Sequence, residues 1–281
     1  MSGLGQLLKR SRRERPTRAM ALANEIETNE TPLEVMARLD AGGAERAAIR
    51  SEEFCEYFEA QDQIEPFERT VFGEFVTLYA APGASAQSLL LVFSGRGHRP
   101  FVPIPIFLQN IDAAKTDVLL LKDTESLQYR TGVTSYAPDF ESLCNRLKSD
   151  FTSRYEHVVA MGTSMGGFAA IRSQLAGVAA KGVSMCGRRP QEAFLQGQAP
   201  PPAFDPICAC LPPKKRPLVF VAAQENPKDR PEAEAAAALT GGVTRFMPGS
   251  GHNVLAPKWR RDTLRPFLER MMRPAVNQDR G

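Results

Sequence analysis

The chain has 281 residues, 43% of them hydrophobic and 24% charged, a globular composition that excludes a disordered, collagen-like or repeat-built protein. The net charge of +3 is unevenly placed: residues 1–18 carry six basic side chains against Glu14, a +5 arm that leaves −2 for the remainder. A slightly acidic body excludes an overall field that would gather nucleic acid, so no nucleic-acid partner is expected.

No apolar stretch approaches the roughly 20 residues needed to cross a bilayer, and no transmembrane segment is expected. The basic N-terminus is followed by neither an apolar segment nor a small-residue cleavage site, so no secretory leader is expected. Five cysteines (Cys55, Cys144, Cys186, Cys208 and Cys210) make an odd number without a framework spacing. Cys208-Ala-Cys210 lacks the second ligand pair of a structural zinc site. Reduced thiols in a cytoplasmic protein are the expectation.

Residues 1–18 read as a flexible basic arm, and 19–65 as a helical N-terminal extension with Leu33, Met36 and Leu39 at helical spacing. Thr31-Pro32-Leu33-Glu34 has the form of a helix start, with a Thr cap, Pro in the first turn and Glu completing a capping box. From residue 66 to 275 the pattern is that of a single α/β domain. Strands are expected at Val71–Tyr79, Leu89–Phe93, Asp117–Leu121, His157–Met161, Gly182–Met185, Leu218–Ala222 and Val243–Met247. Helices are expected around Phe140–Phe151, Phe168–Leu175, Glu232–Leu239 and Trp259–Met271. Alternation of this kind requires crossover connections, hence a doubly wound, mainly parallel sheet covered on both faces. Pro200-Pro201-Pro202 and Pro212-Pro213 interrupt it with a stiff connection.

Between the strand ending at Met161 and the helix carrying Phe168 stands Gly162-Thr163-Ser164-Met165-Gly166-Gly167, a G-x-S-x-G pattern in its strand–turn–helix context. A serine in so sharp a turn has strained backbone angles, and its neighbours two residues away must lack a Cβ for the turn to close. The turn lifts Oγ above the strand end at a helix N-terminus, where the dipole favours negative charge, and aims the Met165 N–H at a developing oxyanion. Serine needs a base, and the chain has three histidines. His157 opens the strand leading to the turn and so lies at the opposite sheet end. His98, in Ser94-Gly95-Arg96-Gly97-His98, lies on the correct face. His252, in Gly249-Ser250-Gly251-His252-Asn253, follows the last strand, where a serine-first chain order places the base. His252 is preferred, with His98 as competitor. The Gly-x-Gly loop before His98 can supply a second oxyanion donor, the N–H of Arg96.

These features resemble the α/β-hydrolases over roughly residues 70–272, with Ser164 and His252 in the family's order. Phe93-Ser94-Gly95, Gly162–Gly167 and Gly251-His252-Asn253 together are similar to a bacterial subset whose members often accompany cell-surface polysaccharide or glycosyltransferase genes. The resemblance implies a triad acid after the strand Leu218–Ala222. Many members carry aspartate where this chain has Asn226. Two carboxylates remain, Asp229, which also fits a capping box with Glu232, and Glu225, closer to the strand end; Asp229 is preferred. The segment 187–216 falls where the family inserts its cap and is expected as a short Pro-rich lid, with Arg188 and Arg189 at its start. Asp123, after the Leu119–Leu121 strand, is expected to shape a loop.

The implied activity is that of a serine esterase or other acyl hydrolase: Ser164 as nucleophile, His252 as base, Asp229 as orienting acid, and Met165 and Arg96 N–H groups as oxyanion donors. No metal or organic cofactor is required, and the substrate would be a small-molecule or glycan-linked acyl compound. The same residues would serve an acyltransferase. The displaced acid leaves a third alternative, a catalytically weak or inactive scaffold binding a glycan or protein partner.

Overall fold

A computed structural model describes residues 18–187 and 218–273. The expected basic arm, apart from Arg18, and the expected lid, apart from Gly187, lie outside the described residues, as do Arg188 and Arg189.

Among the described residues, eight strands form one sheet in the order β1-β2-β4-β3-β5-β6-β7-β8. They are β1 (Glu68–Val71), β2 (Val76–Ala80), β3 (Ser88–Phe93), β4 (Thr116–Leu121), β5 (His157–Thr163), β6 (Lys181–Met185), β7 (Leu218–Ala223) and β8 (Val243–Met247). The pairs β1–β2 and β2–β4 are antiparallel and every other pair is parallel, as the alternation of strand and helix requires. Among the described residues, four helices precede the sheet: α1 (Arg18–Asn29), α2 (Pro32–Ala41), α3 (Gly43–Ala47) and α4 (Glu52–Glu59). The helices interleaved with the strands are α5 (Ile104–Gln109), α6 (Phe140–Asp150), α7 (Met165–Leu175) and α8 (Asp229–Thr240); α9 (Ala256–Arg260) and α10 (Leu264–Met272) follow β8.

Thr31 caps α2 as its sequence foretold: its Oγ1 accepts from the Glu34 N–H at 3.2 Å, and Glu34 Oε2 accepts from the Thr31 N–H at 2.8 Å. Three segments differ from expectation. Val71–Tyr79 is a hairpin, not one strand. Gly73 at φ 137° reverses the chain, and the Phe72 N–H donates to Val76 O at 2.9 Å; apolar alternation runs through both arms and does not reveal the reversal. Trp259–Met271 is two helices, broken where Asp262 takes φ 51°. Helix α5 escaped notice because all six of its residues are buried, leaving no polar face to set a helical period.

Strand β3 is buried on both sides. Leu90 and Val92 face one core with Leu120 of β4, and Leu89, Leu91 and Phe93 face another with Leu119 and Leu121. The second core is closed by α6 through Phe140, Leu143 and Leu147. The first is closed by α5, by α10 (Leu264, Phe267, Leu268), and by Ile26, Val35, Leu39, Phe54 and Phe58 of the N-terminal helices. Those helices therefore cover one face of the sheet rather than standing apart from it. A third cluster joins Ile171 and Leu175 of α7 to Phe220 of β7 and the alanines of α8. With both faces covered, the carboxyl ends of β3, β5, β6 and β7 open at one edge, where ligands bind in open α/β sheets.

Candidate active site

Ser164 stands between β5 and α7 with φ 50° and ψ −111°, a region disfavoured for a residue with a Cβ and costing about 1–3 kcal/mol. The turn is held by the Ser164 N–H donating to Met185 O at 2.9 Å and by the Gly167 N–H donating to Ser164 O at 3.1 Å. The flanking glycines are required by contact. A Cβ on Gly162 would stand 2.0 Å from Gly166 O, and one on Gly166 would stand 2.0 Å from Phe93 O. The spacing in the sequence is thus the imprint of two backbone segments crossing with no room between them.

His252 follows β8 on a half-exposed loop. Its Nε2 lies 3.0 Å from Ser164 Oγ, and its Nδ1 lies 2.8 and 2.9 Å from the two oxygens of Asp229. A carboxylate only accepts, so Nδ1 carries the proton, and in the neutral ring the lone pair of Nε2 faces the serine hydroxyl. Asp229 is fully buried at the first turn of α8. The capping role its sequence also suggested is absent: no side-chain cap closes α8, and Asn226 Oδ1 instead accepts from the Lys228 N–H at 2.9 Å and the Asp229 N–H at 3.2 Å. Asn226, at the position where the family resemblance led us to expect an acid, organises the turn that carries Asp229 inward.

Glu225 is exposed, and its carboxylate accepts the Gly249 N–H at 3.2 Å. It fastens the start of the His252 loop and does not meet the imidazole. His157 opens β5 at the far end of the sheet and is exposed. His98 takes φ 56°, and no hydrogen bond joins it to Ser164 among the described residues. Its Nδ1 is buried without a hydrogen-bond partner among the described residues. Burial, aided by the nearby Lys122 charge, lowers its pKa and favours the neutral ring.

The loop after β3 lies directly against the serine, since a Cβ on Gly95 would come within 3.4 Å of Ser164 Cβ. Arg96 follows in an exposed turn, and the His98 N–H closes that turn on Gly95 O at 3.0 Å. Met165 opens α7, where the first N–H groups of a helix have no intrahelical acceptor. The Asp123 carboxylate accepts from the N–H groups of Glu125 (3.1 Å) and Tyr129 (2.9 Å). The buried Tyr129 hydroxyl then donates to Leu121 O at 2.6 Å and stands 3.1 Å from Ser94 O. Asp123 shapes its loop, as expected, and through Tyr129 steadies the root of the Gly95–Arg96 turn.

Several supporting contacts were not expected from the sequence. Asn253 Nδ2 donates to Phe101 O at 2.7 Å, and the Phe101 ring meets the imidazole edge-on at 5.3 Å, so the loop after β3 and the loop after β8 brace each other. Arg99 pairs with Glu27, and Lys122 donates to Asn29 Oδ1; Asn29 O also accepts from the Tyr79 hydroxyl at 2.8 Å. The last turn of α1 is thereby pinned beside the site. Cys186, buried at the end of β6, takes φ 49° and lies next to Asp229 and His252.

No family model and no curated protein matches the chain. Among solved structures, the chain is similar to MGS-MChE2, an α/β hydrolase enzyme from a metagenome of lagoon sediments at Mar Chica, Morocco. That match has a TM-score of 0.51 and 15% identity over 72% of this chain and 96% of that one. It is also similar to brefeldin A esterase, a bacterial homologue of human hormone sensitive lipase (TM-score 0.49, 12% identity, 88% and 87% covered). A third similar structure is the dienelactone hydrolase of Anabaena variabilis (TM-score 0.46, 18% identity, 74% and 100% covered). The chain has the α/β-hydrolase fold. Among the described residues no helix is long and apolar enough to cross a membrane.

Proposed function

We propose that the chain is a serine hydrolase that cleaves an ester or other acyl bond of a small-molecule or glycan-linked substrate. The observation carrying this reading is the unbroken path from buried Asp229 through both nitrogens of His252 to Ser164 Oγ, with contacts of 2.8 and 3.0 Å. Ser164 Oγ attacks the carbonyl carbon while its proton passes to Nε2. Asp229 holds Nδ1–H and stabilises the imidazolium that forms. The tetrahedral oxyanion is met by the N–H groups of Met165 and Arg96. Collapse expels the alcohol or amine, which takes the proton from Nε2. Water, or a sugar hydroxyl in an acyltransferase, then releases the acyl group by the reverse steps.

Reaction with a fluorophosphonate probe, followed by intact mass, tests the reading. One adduct on the wild-type chain and none on Ser164→Ala supports it. Equal labelling of both, or none on either, overturns it.

A further inference from the structure

Beside the imidazole stands a group that acyl transfer does not use. Cys186 Sγ, a carboxylate oxygen of Asp229 and a ring nitrogen of His252 all lie within 4.8 Å of one another. Cys186 is 1% exposed and Asp229 fully buried. They come from the end of β6, the start of α8 and the loop after β8, so two of the three donors stand on strand and helix ends. Cys186 holds a left-handed φ of 49°, rare for a residue with a Cβ and worth a functional question. Its N–H donates to Val221 O at 2.7 Å, which locks that conformation.

From this juxtaposition the geometry points to a second property of the site: it captures a soft divalent cation, zinc above all, which switches the imidazole out of use. Thiolate, imidazole and carboxylate together are a zinc donor set, with a fourth position left for water. Ligands around tetrahedral zinc lie about 3.5 Å apart, so Nδ1 and the carboxylate part slightly from 2.8 Å while the Cys186 sulfur draws in from at most 4.8 Å. The charges also balance, because one thiolate and one carboxylate neutralise the cation and leave no net charge to bury. His252 Nδ1, already 2.8 Å from the carboxylate, is the nitrogen that ligates.

Binding moves two protons. The Cys186 thiol releases one to solvent as its sulfur bonds the metal. The Nδ1 proton shifts to Nε2, because a ligating nitrogen must offer its lone pair. Nε2 then donates to Ser164 Oγ and can no longer accept its proton. A cation held on the far nitrogen therefore silences the base without touching the serine.

The experiment uses the full chain with Cys208 and Cys210 changed to serine, so that those thiols contribute nothing. Cobalt(II) is titrated in, and the thiolate-to-cobalt charge-transfer band is followed by absorption. A band saturating at one equivalent, displaced by zinc and lost in Cys186→Ser and in Asp229→Asn, supports the site. Cys186→Ser keeps the Cβ and so adapts to the same backbone angles. Zinc should also slow fluorophosphonate labelling of Ser164, and Cys186→Ser should raise the zinc concentration for half-protection at least about tenfold. Absence of the band, or zinc protection unchanged by Cys186→Ser, overturns the proposal. The band needs no turnover, so failure of the hydrolase reading and failure of the metal site are separately visible.

Discussion

Lys122 offers a measurement whose sign and size follow from its surroundings. It follows β4, is 6% exposed, and donates to Asn29 Oδ1 at the end of α1. Burial pushes its pKa down from 10.5 to about 8, with Glu25 opposing the shift and Arg69 aiding it. That gap corresponds to about 3 kcal/mol of stability withheld while the lysine must be charged in the fold. Below pH 8 both folded and unfolded chains hold the proton and the whole penalty applies. Between pH 8 and 10.5 the unfolded chain keeps a proton that the folded chain has released, so stability rises with pH. Lys122→Met removes the penalty at every pH and forfeits a hydrogen bond worth about 1 kcal/mol. The variant should therefore be more stable than wild type by about 2 kcal/mol at pH 7, and less stable by about 1 kcal/mol near pH 10.5. Urea unfolding of both proteins across this range gives the difference directly, since the other titrating groups are common to both. Parallel pH profiles would refute the reasoning, because they would mean that Lys122 is not held in a desolvated place.

Further outcomes follow from the same structure. Asp229→Asn leaves the imidazole in the wrong tautomer and should lower kcat by about 10⁴-fold. Glu225→Gln alters a carboxylate that accepts the Gly249 N–H and should cost less than about tenfold; ester hydrolysis by the two variants, compared with the wild type, distinguishes acid from loop fastener. Phe58→Ala opens a cavity under α4 and should destabilise the whole fold by about 3–5 kcal/mol, whereas the exposed Leu33→Ala should change it by less than about 0.5 kcal/mol. Calorimetry showing independent melting of the N-terminal helices would contradict the shared core.

The parts of the protein that were legible from the residues are those governed by short-range physics. Gly162 and Gly166 mark the elbow because the tight turn leaves no room for a side chain, at Gly162 against Gly166 itself and at Gly166 against the neighbouring strand end at Phe93. Runs such as Leu89–Phe93 and Leu218–Ala222 mark strands covered on both faces because successive side chains point to opposite faces and every one of them must be apolar. The Thr31 cap is complete within four positions. Where the deciding contact was distant, local pattern was blind. The fully buried α5 shows this for structure, and the Asn253–Phe101 and Tyr129–Ser94 contacts show it for the site.

The sequence by itself determined the α/β class, the strained serine between β5 and α7, and a choice of two histidines and two carboxylates around it. Only the tertiary structure decided among them. His252 reaches Ser164 across 88 positions and Asp229 across 23, and which carboxylate arrives depends on how α8 begins and on how β7 and β8 pair. The same holds for the N-terminal helices, whose apolar residues predict burial but not the face of the sheet they cover. Periodicity and turn chemistry are written in neighbouring residues, whereas a catalytic constellation is a convergence of strand ends, and convergence exists only once the sheet has formed.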